Sequence, residues 1–388
     1  MTTLAVTQPT KPTTRASAPG HVHAVDLVRV LTFAAVIAVH TVATINPPSS
    51  VSAGGAAMLL HCTRETFFAL TAFVLVHRYR DGLSVVPFWR RRFFLVGTVY
   101  VTWSMIYSVL ALITVPLPPT GTLSGALTQL GRNLFTGTAC YHLYFLIVTM
   151  QFYLLFPLFL RLLRGAAGRR GWRWCLLGLS AVLQVGIDAG LHVAHPSGMA
   201  AQLLGYDGSF VGSYVFYFVL GGVAALHAAR VQAWVLGHPA VVFGALVLTG
   251  AVAEGWYLRS VRSGGPPVLA SDVFQPVMVP WCVAAMTALF ALGVGWAARR
   301  RAGPWSRAVA IGSDRSFGVF LVHPIVLWAL TLGPSRWLST HVSALCLTVI
   351  TSAATVLASL LVVEVLRHSP LSMALTGKRR SRTVLGRL

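Results

Sequence analysis

Acidic residues are scarce in this chain: 9 Asp and Glu stand against 30 Lys and Arg in 388 residues, and charged residues make up only 10% of the sequence. No acidic cluster and no HExxH pair is present, so no metal site is legible. Cysteine is sparse too. The five (Cys62, Cys140, Cys175, Cys282, Cys346) are odd in number, four lie in apolar runs, and none forms a CxxC pair. A disulfide framework is therefore not expected. No GxGxxG or P-loop pattern opens a nucleotide-binding domain. Nothing alternates like a membrane β-barrel strand, and no repeat of 20–50 residues is visible.

What fills the chain is apolar sequence, 56% of it, with mean hydropathy +0.72. Runs long enough to span a bilayer fall at about 25–45, 55–77, 93–115, 141–162, 174–194, 208–227, 235–257, 277–297, 309–331 and 341–366. The expected fold is an all-α integral membrane protein, a single bundle of about ten transmembrane helices. The fifth run is the least apolar, since it carries Gln184 and Asp188. No polar stretch is long enough to bury a core of its own.

A net charge of +21 would suit nucleic acid, but the positions of the charges speak against it. With the sides alternated at each run, 23 of the 30 Lys and Arg fall on one side and 4 (Arg132, Arg259, Arg262, Arg336) on the other. The remaining 3, Arg29, Arg64 and Arg315, lie inside runs. This positive-inside pattern puts both termini in the cytoplasm and calls for an even number of spans. The bilayer is the expected partner, and nucleic acid is not. Residues 1–20, rich in Thr, Pro and Ala, read as a disordered cytoplasmic tail, 21–370 as the membrane domain, and 371–388 as a basic cytoplasmic tail. The first run is too long for a signal peptide and lacks a small-residue cleavage site, so it is expected to remain as a span.

Two polar residues in that first run carry the functional reading. A membrane span normally excludes a guanidinium and an imidazole, yet VDLVRVLTFAAVIAVHTVATI holds Arg29 and His40. Eleven residues at 100° each end about 20° past three turns, so the two side chains share a face about 16 Å apart along the axis. Arg29 then lies near the inner surface, with Asp26 one turn away, and His40 lies in the outer half. The second run places His61 in the outer half and Arg64–Glu65 near the middle. Either His61 or Glu65 is a candidate to orient His40, because a buried carboxylate beside an imidazole raises its basicity. The plainer alternative is that Arg64 and Glu65 neutralise one another. His142, taken alone, reads as an interfacial anchor. The ninth run pairs Asp314 and Arg315 at its inner end with His323 in its outer half, and Glu364 is expected to meet a cytoplasmic-side arginine.

Taken together, cations (Arg29, Arg90, Arg91, Arg92, Arg315) gather at the cytoplasmic ends and imidazoles (His40, His61, His142, His323) in the outer half. A cationic inner funnel suits a phosphate-bearing cytosolic donor. Arg90–Arg92 and Arg299–Arg301 also serve the alternative of merely enforcing topology.

The segment VDLVRVLTFAAVIAVH resembles the first helix of the membrane-bound acyltransferase 3 family of bacterial O-acyltransferases, whose signature is Arg, ten residues, then His. RETFFALTAFVL resembles the family's second-helix segment, with Thr71–Ala72 where a Ser-Gly pair is usual. HLYFLIVTMQFYLLFPL is similar to its HLWFL…YLLFPL segment, with Tyr144 in place of Trp, and SFGVFLVHPIV to its SYGIYLVHPPV-like ninth helix. The resemblance covers essentially the whole chain. It implies ten helices in a bacterial cytoplasmic (inner) membrane and transfer of an acyl group from cytoplasmic acyl-coenzyme A, most commonly acetyl-coenzyme A. The implied acceptor is a hydroxyl of a carbohydrate or glycosylated small molecule at the outer side. Arg29 and His40 fall on the two motif positions. The family's two third-helix arginines separated by two residues are not reproduced, since Arg90, Arg91 and Arg92 are contiguous.

The expected site therefore comprises His40 as general base, with His61 and Glu65 beside it, and Arg29, Arg90, Arg92 and Arg315 for the coenzyme A phosphates, with no metal. The acceptor hydroxyl attacks the thioester directly or through an acyl-histidine. No Ser or Cys sits beside a base in a nucleophile-elbow setting. The rival from another class is a secondary transporter exporting a glycoside or small anion, with the buried His and Arg as proton or anion sites. A catalytically dead scaffold is a third reading, against which the intact Arg29–His40 pair stands.

Overall fold

A computed structural model describes residues 23–114, 123–165, 171–193 and 205–380, and every regular element among them is helical. Among the described residues nine helical spans are long and apolar enough to cross a membrane, or ten if one bent pair counts as a single span. The chain is a multi-pass all-α membrane protein. The expected tail 1–20, and residues 381–388 of the expected tail 371–388, lie outside the described residues.

The helices are α1 (His23–Ile45), α2 (Val51–Leu60), α3 (Cys62–Tyr79), α4 (Val85–Thr114), α5 (Leu123–Thr136), α6 (Tyr144–Gly165), α7 (Trp172–Val193) and α8 (Val215–Leu226). They continue with α9 (Ala228–Gly237), α10 (Pro239–Arg262), α11 (Pro267–Ala270), α12 (Met278–Arg299), α13 (Pro304–Leu332), α14 (Pro334–Leu338), α15 (Ala344–His368) and α16 (Ser372–Thr376). At 1.5 Å per residue α1 is about 34 Å long, enough to cross the hydrocarbon layer. It packs against α12, α13, α15 and α3 and so sits inside the bundle.

Small residues let the backbones meet where apolar association alone supplies little drive. A Cβ on Gly221 of α8 would lie 2.0 Å from the Ala69 carbonyl oxygen of α3. Polar side chains inside the spans return their hydrogen bonds to their own helix: the Thr32 and Thr41 hydroxyls donate to Val28 O and Ile37 O. No water is available there to satisfy them otherwise.

Several places differ from the expectation. The second span is interrupted at His61, with Ser50 accepting from Ala53 N–H at its start, so α2 and α3 together run from 51 to 79. The sixth is not one straight helix. Two 3₁₀ turns precede α8, whose 12 residues reach only about 18 Å, and the chain then bends by 92° into α9. The seventh begins at Pro239, later than 235, because proline suits a first turn and residues up to Gly237 already belong to α9. The loop expected near 116–140 contains α5, too short and polar to show as an apolar run. Tyr100 OH donates to Asn133 O and Leu134 O at its C-terminal end, at 3.1 and 2.9 Å.

The chain after 371 is also not all tail. Residues 372–376 form α16, Trp103 Nε1 donates to Leu375 O (3.0 Å), and Lys378 Nζ meets Asp314 Oδ1 (2.7 Å). This segment docks against α4 and α13 at the basic end of the bundle, the end that carries Arg90–Arg92 and Arg299–Arg301.

Candidate active site

The two ends of α1 meet different surroundings. At the basic end Asp26, one turn away on α1, and then Tyr153 of α6 and Arg92 of α4 are close enough to Arg29 to act on its charge. Among the described residues no hydrogen bond or ion pair takes the Arg29 guanidinium; its neighbour Asp26 accepts instead from Ser313 Oγ at 2.8 Å. Arg92 lies over the Tyr153 and Phe88 rings, 5.5 and 5.9 Å from their centroids, and its Nε is buried without a partner. Trp89 Nε1 donates to Tyr153 O (2.9 Å) and fixes α4 against α6 here. Two neighbouring guanidiniums, neither hydrogen-bonded to a carboxylate among the described residues, could take a phosphate-bearing ligand.

At the far end His40 stands in a cluster of rings. Its centroid is 4.3 Å from Tyr141 and 5.5 Å from His323, and His142 lies 5.3 Å from His323. Tyr107 flanks His142 at 5.4 Å, and its hydroxyl donates to Leu321 O at 2.7 Å. Local sequence sets the orientation of His323. Pro324 has no N–H, so it cannot bond Phe320 O in the usual helical way, and His323 Nδ1–H donates to that carbonyl at 2.7 Å. In the neutral ring the lone pair then sits on Nε2, which is buried and unpartnered; both ring nitrogens of His142 are buried and unpartnered as well. The three imidazoles do not converge on a cation. Among the described residues no group of three or more His, Cys, Asp or Glu is placed to hold a metal ion.

Between the two ends Phe33 of α1 packs against Phe67 (4.4 Å) and Phe320 (6.1 Å), and Phe145 touches both partners at 5.7 and 5.5 Å. This aromatic collar lies between the two arginines and the imidazoles.

His61 and Glu65 belong to a third group. His61 Nδ1–H donates to Ser271 O (2.8 Å), and Glu65 Oε1 accepts from Arg64 Nε (3.0 Å). Arg64 is boxed by Phe274, Tyr214 and Tyr144, at 4.6, 5.0 and 5.9 Å, and donates to Tyr144 OH at 3.4 Å. No hydrogen bond or ring contact joins His61 or Glu65 to His40, although His61 lies close enough for its charge to reach His40, and Arg64 and Glu65 form an ion pair.

The remaining arginines divide. Arg90 is exposed at the basic end of α4, with no partner among the described residues. Arg315 is committed: its Nη2 lies 2.7 Å from Glu364 Oε2 and its Nη1 3.9 Å from Asp314. Asp314 further binds Arg367 and Lys378, which makes a network joining α13, α15 and the segment after α16. Glu364 thus meets an arginine at the basic end, as its position in the last span implies.

Tyr141, His142, Tyr153 and His323 complete the two clusters, and the reading from sequence did not place them in the site. His142 and His323 were visible as outer-half imidazoles, and the His-Pro pair held the signal for His323. Nothing local marks Tyr153.

The sequence profile described as "Acyltransferase domain" (Acyl_transf_3) matches residues 22–364. A curated relative from Streptomyces mycarofaciens, named Acyltransferase MdmB, is 28% identical over 288 residues, 69% of this chain and 70% of the relative. No solved structure matches the chain. Both ends of α1, with Arg29 and His40, fall within a match that runs through nearly every span: the chain belongs to the acyltransferase 3 family of membrane acyltransferases.

Proposed function

We propose that the protein is an O-acyltransferase of the bacterial cytoplasmic membrane that takes an acyl group, acetyl by default, from acyl-coenzyme A at the basic end. It passes the group to a hydroxyl of a carbohydrate or glycosylated small molecule arriving from the far end. The observation that carries this reading is the division of labour along α1: Arg29 at one end with Arg92 of α4 beside it, His40 among imidazoles about 16 Å further along, and an aromatic collar between. The 23:4 charge asymmetry supports a cytoplasmic basic end.

In this scheme Arg29 and Arg92 hold the donor's phosphates, and the pantetheine arm runs through the Phe33–Phe67–Phe320 collar to the imidazoles. His40 takes the proton of the acceptor hydroxyl as its oxygen attacks the thioester carbonyl. The C–S bond breaks, the new ester C–O bond forms, and the thiolate leaves with the proton returned by the imidazolium. His323, with its tautomer fixed by Phe320 O, and His142 form the polar wall against which His40 works. Holding donor and acceptor in register across the collar is where most of the rate would originate.

The test is reconstitution in vesicles of verified single orientation, with acetyl-coenzyme A supplied on one side and release of free coenzyme A measured with a glycoside acceptor. Donor used only from the side bearing the termini is the expected result. Equal use from both sides overturns the transmembrane route, and no release with transport of the glycoside intact returns the exporter reading.

A further inference from the structure

In the half of the bundle nearer the basic end, α3, α7, α8 and α12, with Val28 of α1 and Val231 of α9, line a crevice of about 200 Å³. Leu70 and Phe73 of α3, Leu220 of α8 and Phe290 of α12 supply its walls. The two threonines that reach it offer nothing polar, since Thr66 Oγ1 donates to Cys62 O (2.7 Å) and Thr287 Oγ1 to Val283 O (2.6 Å). None of Arg29, His40, Arg92, His142, Tyr153 or His323 lines the crevice. It lies on a different face of α3 from the one Phe67 turns towards Phe33.

Its rim has a different chemistry. Trp174, largely exposed, stacks on His227 with ring centroids 5.8 Å apart and planes 14° from parallel. His227 marks the 92° bend into α9, so α9 runs across the direction of α8 and carries Trp234 and Arg230. A short helix turned across the bundle with Trp and Arg on it lies as interfacial helices do, at the level of lipid headgroups. The charges of Arg173 and Arg230 reach His227. Arg173 spends only its Nε, on Leu163 O at 3.3 Å, and Arg230 is exposed without a partner among the described residues. Neither 171–177 nor 227–237 contains an Asp or Glu, so no local carboxylate neutralises this rim.

An apolar slot beneath two unneutralised arginines at headgroup depth complements an amphiphile with an anionic head and a hydrocarbon tail. We propose that the crevice is a phospholipid site of the bilayer leaflet at the basic end. One acyl chain lies between α3, α8 and α12, and the headgroup phosphate lies against Arg173, Arg230 and His227. The site is independent of the acyl-transfer chemistry above, so either can fail without the other.

The experiment uses the full chain in nanodiscs and compares retention of labelled phosphatidylglycerol and phosphatidylcholine with identical acyl chains. A basic residue near a membrane surface contributes about a fivefold preference for an anionic lipid. Two predict roughly 25-fold retention of phosphatidylglycerol over phosphatidylcholine at low salt, falling as salt rises. Arg230→Gln, on an exposed position that leaves packing intact, should remove about fivefold of that preference. Ala224→Leu, which fills the slot, should release both lipids to the level of the surrounding annulus. Equal retention of the two lipids by the unaltered chain overturns the proposal, as does a preference that Arg230→Gln leaves unchanged. A shift by Ala224→Leu in the donor acyl length that the enzyme prefers, with phosphatidylglycerol still selectively held, would give the space to the donor and overturn it as well.

Discussion

Arg29 and Arg315 look alike along the chain, each an arginine near the basic end of a long apolar helix, and the fold uses them in opposite ways. Arg315 is spent on Glu364 and Asp314, in a network that ties α13 to α15 and to the docked segment after α16. Arg29 has no carboxylate bound, and beside it Arg92 keeps a buried donor unused. His61 and His40 repeat the contrast at the far end: one ring is tied to Ser271 O and belongs to the Arg64–Glu65 group, while the other stacks into the imidazole cluster. A buried charge paired with a carboxylate holds helices together, and a guanidinium without one keeps its donors for an anionic partner.

Substitution at each pair sharpens or breaks this contrast. The largest effect is expected from His40→Ala, which should lower turnover by about 10²–10⁴-fold, the usual worth of a positioned acid–base group, with coenzyme A affinity unchanged. His61→Ala should stay within about tenfold of the parent. Initial rates of coenzyme A release together with donor binding by the purified variants decide it; equal losses at the two histidines would erase the distinction between them.

Arg29→Ala comes next. Losing charge-assisted hydrogen bonds worth about 1.5–3 kcal/mol should weaken coenzyme A binding roughly 10- to 150-fold. Arg29→Lys should recover only part, because an ammonium lacks the planar fork. Titration calorimetry of coenzyme A against the variants checks this, and unchanged affinity would reassign Arg29 to a structural role beside Asp26.

The Arg64–Glu65 pair should speak through stability instead. Arg64→Met strands the buried Glu65 carboxylate and is expected to cost about 3–5 kcal/mol, seen as a lower unfolding midpoint, while surviving folded protein keeps turnover within about tenfold. The smallest effect on the donor is expected from Arg315→Gln: coenzyme A affinity within about threefold of the parent and a modest loss of thermal stability as Glu364 loses its partner. A donor defect at Arg315 as large as that at Arg29 would show that pairing in the fold does not predict function here.

The sequence by itself determined that this chain crosses the membrane many times, because a 20-residue apolar run has few other fates and the basic residues fall so unevenly between the two sides. It also determined that Arg29 and His40 share a helix face, since helical geometry fixes that without reference to any neighbour. The breaks at His61 and His227 left no comparable mark, for a bend in an apolar helix is decided by what packs against it. Only the tertiary structure decided which polar residues are spent. Whether Arg315 meets Glu364, 49 positions away, and whether His323 meets His40, 283 away, depends on which helices are neighbours and how they are rotated. Apolar spans of similar hydropathy carry little information about either, because lipid-facing and helix-facing surfaces are written in the same residues.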